Sequence, residues 1–95
     1  FLFEHMVGKA HTGKEILQMI VQLAEVGRYY TAQELYVILE KSGWLNTFDL
    51  QHLPNGKETR ARRRLQNALR DGLKSNVLES NVYSSNKYQY RVMNA

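Results

Sequence analysis

Residues 57–76 read KETRARRRLQNALRDGLKSN and carry two patterns in one stretch. On a helical wheel at about 100° per residue, one face is apolar and holds Ala61, Leu65, Ala68, Leu69, Gly72 and Leu73. The opposite face holds Arg60, Arg63, Asn67, Arg70 and Lys74. We therefore predict a helix over residues 57–74 that buries one side in a core and presents a basic, amide-bearing side to solvent.

The residues that follow this helix change to a period of two. KYQYRV, residues 87–92, places Tyr88, Tyr90 and Val92 on one side of a strand. VLESNVY, residues 77–83, is rich in strand-forming residues, and Ser84-Ser85-Asn86 has the chemistry of a turn. We predict a β-hairpin over residues 77–93 that leans on the helices, because an isolated hairpin is marginal in water.

Two further helices are predicted before the basic one, over residues 12–27 and 31–42. Each begins with a threonine followed three residues later by a glutamate, the spacing of a capping box. The pairs are Thr12 with Glu15 and Thr31 with Glu34. Gly27 and Gly43 are natural helix stops. Residues 43–56 are less regular, and we predict a short helical turn near residues 46–52 that ends at Pro54-Asn55-Gly56.

The positive charge of the chain is concentrated in its second half. The 95 residues carry a net charge of +4 and no cysteine. Residues 1–56 have four basic against six acidic side chains, whereas residues 57–95 have nine against three. A one-sided basic field favours a polyanionic partner. No apolar run approaches the roughly 20 residues that span a bilayer, so no membrane partner is expected.

The composition also limits the chemistry that we expect. The three histidines, His5, His11 and His52, have no metal-binding spacing, and there is no cysteine to help them. There is no glycine-rich phosphate loop and no nucleophile beside a histidine and an acid. We therefore expect no enzyme activity, no cofactor and no metal. The chain begins with Phe1, so we interpret residues 1–11 as a tag or linker tail and residues 12–93 as one domain of a longer, intracellular (cytoplasmic or nuclear) protein.

The order helix, helix, intervening segment, basic helix and hairpin resembles a winged-helix domain, the helix-turn-helix variant with a β-wing. The resemblance covers residues 12–93 and rests on LQNALRDGLKSNVLESNVYSSNKYQYRV, residues 65–92. It implies an α+β, mostly α fold of three helices with a C-terminal hairpin wing, binding double-stranded DNA with the third helix in the major groove. Residues 43–56 depart from the family because they exceed the tight turn usual before a recognition helix. The chain is also faintly similar to the C-terminal winged-helix specificity domain of modification-dependent restriction endonucleases.

The side chains of the basic helix indicate how DNA would be read. A guanidinium fork matches phosphate oxygens or the O6/N7 edge of guanine, and an amide pairs with adenine. Recognition helices usually insert their N-terminal half, so we expect Arg60, Arg63 and Asn67 at base edges. Arg70 and Lys74 then lie nearer the phosphates. The remaining candidate DNA-binding residues are Arg64 on the helix flank and the backbone contacts Lys57, Thr59, Lys87 and Arg91.

Three alternatives stay open at this point. The basic face is a solvated surface, or the domain binds RNA, or it is a protein–protein docking module in a larger assembly. In the docking alternative, the acidic side chains of the first half would meet a basic partner; they are Glu25, Glu34 and Glu40. Nothing in the sequence indicates an oligomeric state.

Overall fold

Three helices and three strands make up the part of the chain that the structure describes. The computed structural model of the chain describes residues 10–54 and 56–93. In chain order the elements are α1 (Gly13–Leu23), β1 (Tyr30–Thr31), α2 (Ala32–Lys41), α3 (Arg60–Lys74), β2 (Leu78–Ser84) and β3 (Lys87–Val92). The strands form one antiparallel sheet in the order β1–β3–β2. The predicted α+β class, three helices followed by a C-terminal hairpin, is confirmed.

Both predicted capping boxes form and fix where α1 and α2 begin. The Thr12 hydroxyl accepts a hydrogen bond from the Glu15 N–H at 3.2 Å, and the Glu15 carboxylate accepts one from the Thr12 N–H at 2.8 Å. Thr31 and Glu34 make the same exchange at 3.1 and 2.7 Å. Each box satisfies two backbone donors that the first turn leaves without helical partners.

α1 ends earlier than predicted, at Leu23 instead of near Gly27. Its C-cap, Ala24, has the extended backbone of a strand, with ψ at 143°. The N–H of Gly27 donates to the carbonyl of Val92 at 3.0 Å, and Gly27 has a positive φ of 83°. The residues after Leu23 therefore run to the sheet, where Gly27 bonds to β3. A continued helix would not allow this contact.

α3 begins at Arg60, three residues later than predicted. Its N-cap is Thr59, whose hydroxyl accepts from the Arg62 N–H at 3.2 Å. The residues just before it belong to the preceding loop, because the Leu53 N–H donates to the Glu58 carbonyl at 2.9 Å and His52 forms an isolated bridge with Thr59. The predicted helix end near residue 74 is confirmed.

The strand β1 was not predicted. Tyr30 pairs with Tyr90 and Thr31 with Gln89, so these two residues attach the start of α2 to the hairpin. Tyr30 is buried, and its hydroxyl accepts a hydrogen bond from the Glu25 N–H at 3.0 Å. A two-residue strand is too short to show alternation in a sequence. These residues form a strand because they pair with a distant segment, β3.

The predicted hairpin is confirmed, and its two ends differ in burial. Leu78 pairs with Val92 at the buried base, and Val82 pairs with Tyr88 toward the tip. These four side chains share one face of the sheet because side chains alternate along a strand. Val82 is 56 % exposed and Tyr88 50 % exposed, so the apolar inner face continues beyond the core.

The core lies between α1, α2, α3 and the base of the hairpin. Its buried members include Ile16, Ile20, Leu35, Leu39, Leu65, Leu69, Leu78 and Val92. Gly72 lets α3 approach the hairpin closely. A Cβ atom at Gly72 would lie 2.6 Å from Leu78 Cδ1 and 3.0 Å from Leu17 Cδ1. Any larger residue here would therefore require the side chain of Leu78 to shift.

Asp49 is a fully buried carboxylate that joins three parts of the chain. Its Oδ1 accepts from the His11 N–H at 2.7 Å, and its Oδ2 accepts from the Asn46 N–H at 2.9 Å. Its carbonyl accepts from the Ala61 N–H at 2.9 Å, in the first turn of α3. The His11 ring nitrogen Nδ1 lies 2.5 Å from Oδ2, and the ring stacks on Trp44 at 3.7 Å between centroids.

His11 belongs to the stretch 1–11 that the sequence suggested was a tag or linker tail. Its side chain is 20 % exposed and is held by Asp49 and Trp44, so this residue is packed against the domain. The predicted turn near residues 46–52 is present, since the Leu50 N–H donates to the Asn46 carbonyl at 3.2 Å. Residues 1–9 lie outside the described residues.

Candidate nucleic-acid interface

The solvent-facing side of α3 carries the predicted row of basic and amide side chains. Its five members, Arg60, Arg63, Asn67, Arg70 and Lys74, are all exposed. The other side of the helix is buried at Ala61, Leu65, Ala68 and Leu69. A 15-residue helix is about 22 Å long and about 10–12 Å wide, the width of a major groove. We call these five residues the basic row.

Within the basic row, Arg63 is held by an acidic neighbour. Its Nε and Nη2 lie 2.7 and 2.6 Å from Oε1 of Glu58. The Arg63 side chain is 55 % exposed, so this ion pair contributes at most about 1 kcal/mol to the free energy of unfolding. An anion that offers better geometry can therefore replace Glu58 at little cost.

A second contact orders the middle of the basic row. Nη2 of Arg70 donates to Oδ1 of Asn67 at 2.8 Å. An amide oxygen has two lone pairs, so Asn67 keeps one acceptor position beside this bond. The side chain is thus oriented while it retains the acceptor and donor that pairing with adenine needs.

Two other predicted site residues are engaged inside the fold. Nη1 of Arg64 donates to the His11 carbonyl at 2.8 Å, so Arg64 ties the N-terminal residues to α3. Thr59 is the N-cap of α3, and its hydroxyl also lies 2.8 Å from the Tyr36 hydroxyl. Both side chains are half-buried, and these contacts give them structural roles that sequence reasoning missed. Lys57 is exposed in the loop just before them.

The two predicted hairpin residues lie in different settings. Lys87 is exposed beside the turn, whereas Arg91 forms an ion pair with Glu79 across the strands and lies 5.0 Å from the centre of the Tyr29 ring. The Tyr29 hydroxyl donates to Glu79 at 3.1 Å. Burial and this hydrogen bond raise the pKa of Tyr29 above its usual value, against the opposing charge of Arg91.

Sequence reasoning missed a cavity between α2 and α3. Its volume is about 350 Å³, and its lining includes Gln33, Lys57, Arg62 and Gln66. Arg62 sits on the flank of the apolar stripe in the wheel, and its Nη1 is buried without a hydrogen-bond partner among the described residues. A helical wheel of α3 alone could not indicate this cavity, because the position of α2 is a tertiary feature.

Arg62 also interacts electrostatically with a residue of the third strand. Burial and the neighbouring Tyr88 raise the pKa of Tyr90, and the positive charge of Arg62 opposes this rise. Arg62 therefore lies within electrostatic range of the inner face of the hairpin.

Residues 10–54 and 56–93 contain neither a metal-binding cluster nor a membrane-spanning helix. That part of the chain has no group of three His, Asp or Glu side chains arranged to hold a metal ion. None of its helices has the length and apolar character to cross a bilayer. The chain matches no known family model, no curated protein and no solved structure.

Proposed function

We propose that this domain is a winged-helix module that binds double-stranded DNA, with α3 in the major groove and the β2–β3 hairpin as the wing. The observation that carries the proposal is the basic row. Four cations and one amide point to solvent from one side of a helix whose other side is anchored in the core. The order of the elements, three helices followed by a hairpin, fits the same reading.

In this proposal the residues of the basic row contact different parts of the DNA along α3. Arg60 and Arg63 approach guanine edges with their planar forks, and Asn67 approaches adenine. Arg63 exchanges Glu58 for the base, which the half-exposed pair permits. Arg70 and Lys74 neutralise phosphates nearer the end of the helix, and such contacts fix the register of the protein on the duplex.

The hairpin supplies contacts to the DNA backbone beside the groove that α3 occupies. Lys87 is the exposed cation beside its turn, next to Tyr88 on the neighbouring position. Arg91 contributes indirectly, since its ion pair with Glu79 stiffens the two strands. The module has no catalysis of its own in this account and gives specificity to a longer protein, such as a nuclease or a regulator.

A protein–protein docking module is the second candidate, and one observation favours it. An apolar groove of about 710 Å³ lies between α1 and the base of the hairpin, lined by residues that include Leu17, Val21, Val77 and Met93. The acidic side chains are a weaker argument for docking, because Glu34 is used in a capping box and Glu25 lies 3.7 Å from Arg28. A partner in the groove would leave the basic row unused.

A competition experiment tests the proposed function. A fluorescently labelled duplex is bound to the domain at about 150 mM salt, and unlabelled duplex DNA, single-stranded DNA and double-stranded RNA are added in turn. We expect duplex DNA to displace the label at the lowest concentration, because a helix cannot enter the deep, narrow major groove of RNA. Equal displacement by all three polymers, or no binding, would contradict the proposal and favour docking.

A further inference from the structure

We propose that the cavity between α2 and α3, lined by Gln33, Lys57, Arg62 and Gln66, binds one phosphate group. We call it the α2–α3 cavity. The proposal rests on the proposed function for the source of the phosphate, which is the backbone of the bound duplex. It makes Arg62, Gln33 and Gln66 ligand-binding residues that the wheel of α3 did not indicate.

The size and the lining of the α2–α3 cavity suit a small polar ligand. Its volume is about 350 Å³, which is more than one phosphate group needs. The amides of Gln33 and Gln66 supply donors from two different helices. The hydroxyls of Tyr36 and Thr59, 2.8 Å apart, complete a polar wall.

The guanidinium of Arg62 lacks a hydrogen-bond acceptor for one of its nitrogens. Its Nη1 is buried and has no hydrogen-bond partner among the described residues. A buried donor left without a partner is unfavourable, and a guanidinium has five N–H donors in a fixed fork that matches two phosphate oxygens. A phosphate that enters the cavity gives this fork an acceptor after a small rotation of the side chain.

The charges around the cavity favour an anion. Lys57 and Arg62 are positive, and Glu58 is the acidic residue of the lining. Oε1 of Glu58 is already held by Arg63 at 2.6 Å, which brings a third positive charge to the edge of the cavity. The two lining cations, Lys57 and Arg62, against one carboxylate leave a net positive charge in the cavity even when Arg63 leaves Glu58 for a base edge.

The position of the cavity explains why a backbone phosphate would reach it. Gln66 is three residues after Arg63 on α3, so the two side chains are neighbours on the helix surface. When Arg63 reaches a base edge, the sugar–phosphate chain beside that base passes the flank of the helix that carries Gln66 and Arg62. A phosphate held there fixes the depth and register of α3 in the groove.

The test compares Arg62→Met with Lys41→Met, which removes the same charge from the exposed end of α2. Duplex binding is measured by fluorescence anisotropy over a range of salt concentrations. We expect Arg62→Met to weaken binding about tenfold and to reduce the log–log salt slope by about 1, with Lys41→Met near wild type. A Gln33→Ala/Gln66→Ala variant, changed only at exposed positions, repeats the test if Arg62→Met does not fold.

A second arm uses inorganic phosphate in place of DNA. In proton–nitrogen correlation spectra, phosphate should shift the side-chain amides of Gln33 and Gln66 in the wild type and not in Arg62→Met, with chloride at equal ionic strength as the reference. These shifts without duplex binding would mean that the cavity takes free phosphate or a phosphorylated small molecule, and that the proposed function is wrong. Unmoved amides, or an Arg62→Met variant that binds duplex as the wild type does, would overturn the cavity proposal.

Discussion

Nδ1 of His11 lies 2.5 Å from Oδ2 of Asp49, and this contact ties the chain before α1 to the loop before α3. The carboxylate is fully buried, and the imidazole is stacked on Trp44 at 3.7 Å. A buried carboxylate needs several hydrogen bonds to offset its lost hydration. The His11 backbone N–H donates to Asp49 and its ring nitrogen contacts the same carboxylate, so His11 is a structural residue of the domain.

We expect His11→Ala to lower the free energy of unfolding by about 2–3 kcal/mol, because the buried carboxylate loses a partner and Trp44 loses a stacked ring. Thermal denaturation followed by circular dichroism should show a melting temperature lower by roughly 10 °C. His52→Ala is the matched control, since His52 is exposed, and it should change the melting temperature little. Equal melting temperatures for the two variants would show that His11 does not anchor the fold.

A pair of glycine variants tests the close approach of α3 and the hairpin. Gly72→Ala should destabilise the domain by about 1–2 kcal/mol, since overpacking against Leu78 outweighs the gain of about 1 kcal/mol in helix propensity. In Gly13→Ala the new Cβ lies 3.7 Å from its nearest neighbour, an ordinary contact, so this variant should be neutral or slightly stabilising. Urea denaturation measures both, and a stabilised Gly72→Ala would contradict the packing described for Leu78.

The ion pair between Glu58 and Arg63 should limit the affinity of the domain for duplex DNA. Glu58→Gln removes the carboxylate that holds Arg63 at 2.6 Å and also removes a negative charge beside the basic row. We expect duplex affinity to rise about threefold to fivefold at low salt and the salt slope to become steeper. Glu40→Gln, on the exposed surface of α2, removes the same charge and serves as the control.

Anisotropy titrations over a range of salt concentrations give both quantities. If Glu58→Gln and Glu40→Gln raise affinity equally, the effect is a general change in net charge. The local release of Arg63 would then have no part in binding.

Local patterns in the sequence predict much of the fold. The capping boxes at Thr12 and Thr31, the alternation in residues 87–92 and the amphipathic wheel of α3 each depend on neighbours within a few residues. The start of α3 at Arg60 and the strand at Tyr30 depend on distant partners, namely Asp49 and Tyr90. No pattern within a short window carries that information.

The same distinction applies to the candidate site. The exposure of the basic row follows from the helical period alone, so the wheel places its residues correctly. The inward roles of Arg64 and Thr59 come from contacts with His11 and Tyr36, on segments 53 and 23 residues away along the chain. The α2–α3 cavity requires the packing of two helices, and a single-helix wheel does not contain it.

The most direct test of the central claim is duplex binding by the double variant Arg60→Ala/Arg63→Ala. Fluorescence anisotropy is measured from about 50 to 200 mM salt against short duplexes with and without methylated adenine or cytosine. A matched double variant, Arg28→Ala/Lys41→Ala, loses the same two charges away from the basic row.

We expect the wild type to prefer one class of duplex with a log–log salt slope of about −4 to −5. The Arg60→Ala/Arg63→Ala variant should lose about 1–3 kcal/mol of binding free energy for each base contact. It should also lose the preference for one class of duplex, and the matched variant should keep that preference. If Arg60→Ala/Arg63→Ala binds the preferred duplex as the wild type does, α3 does not read DNA and the proposed function is wrong.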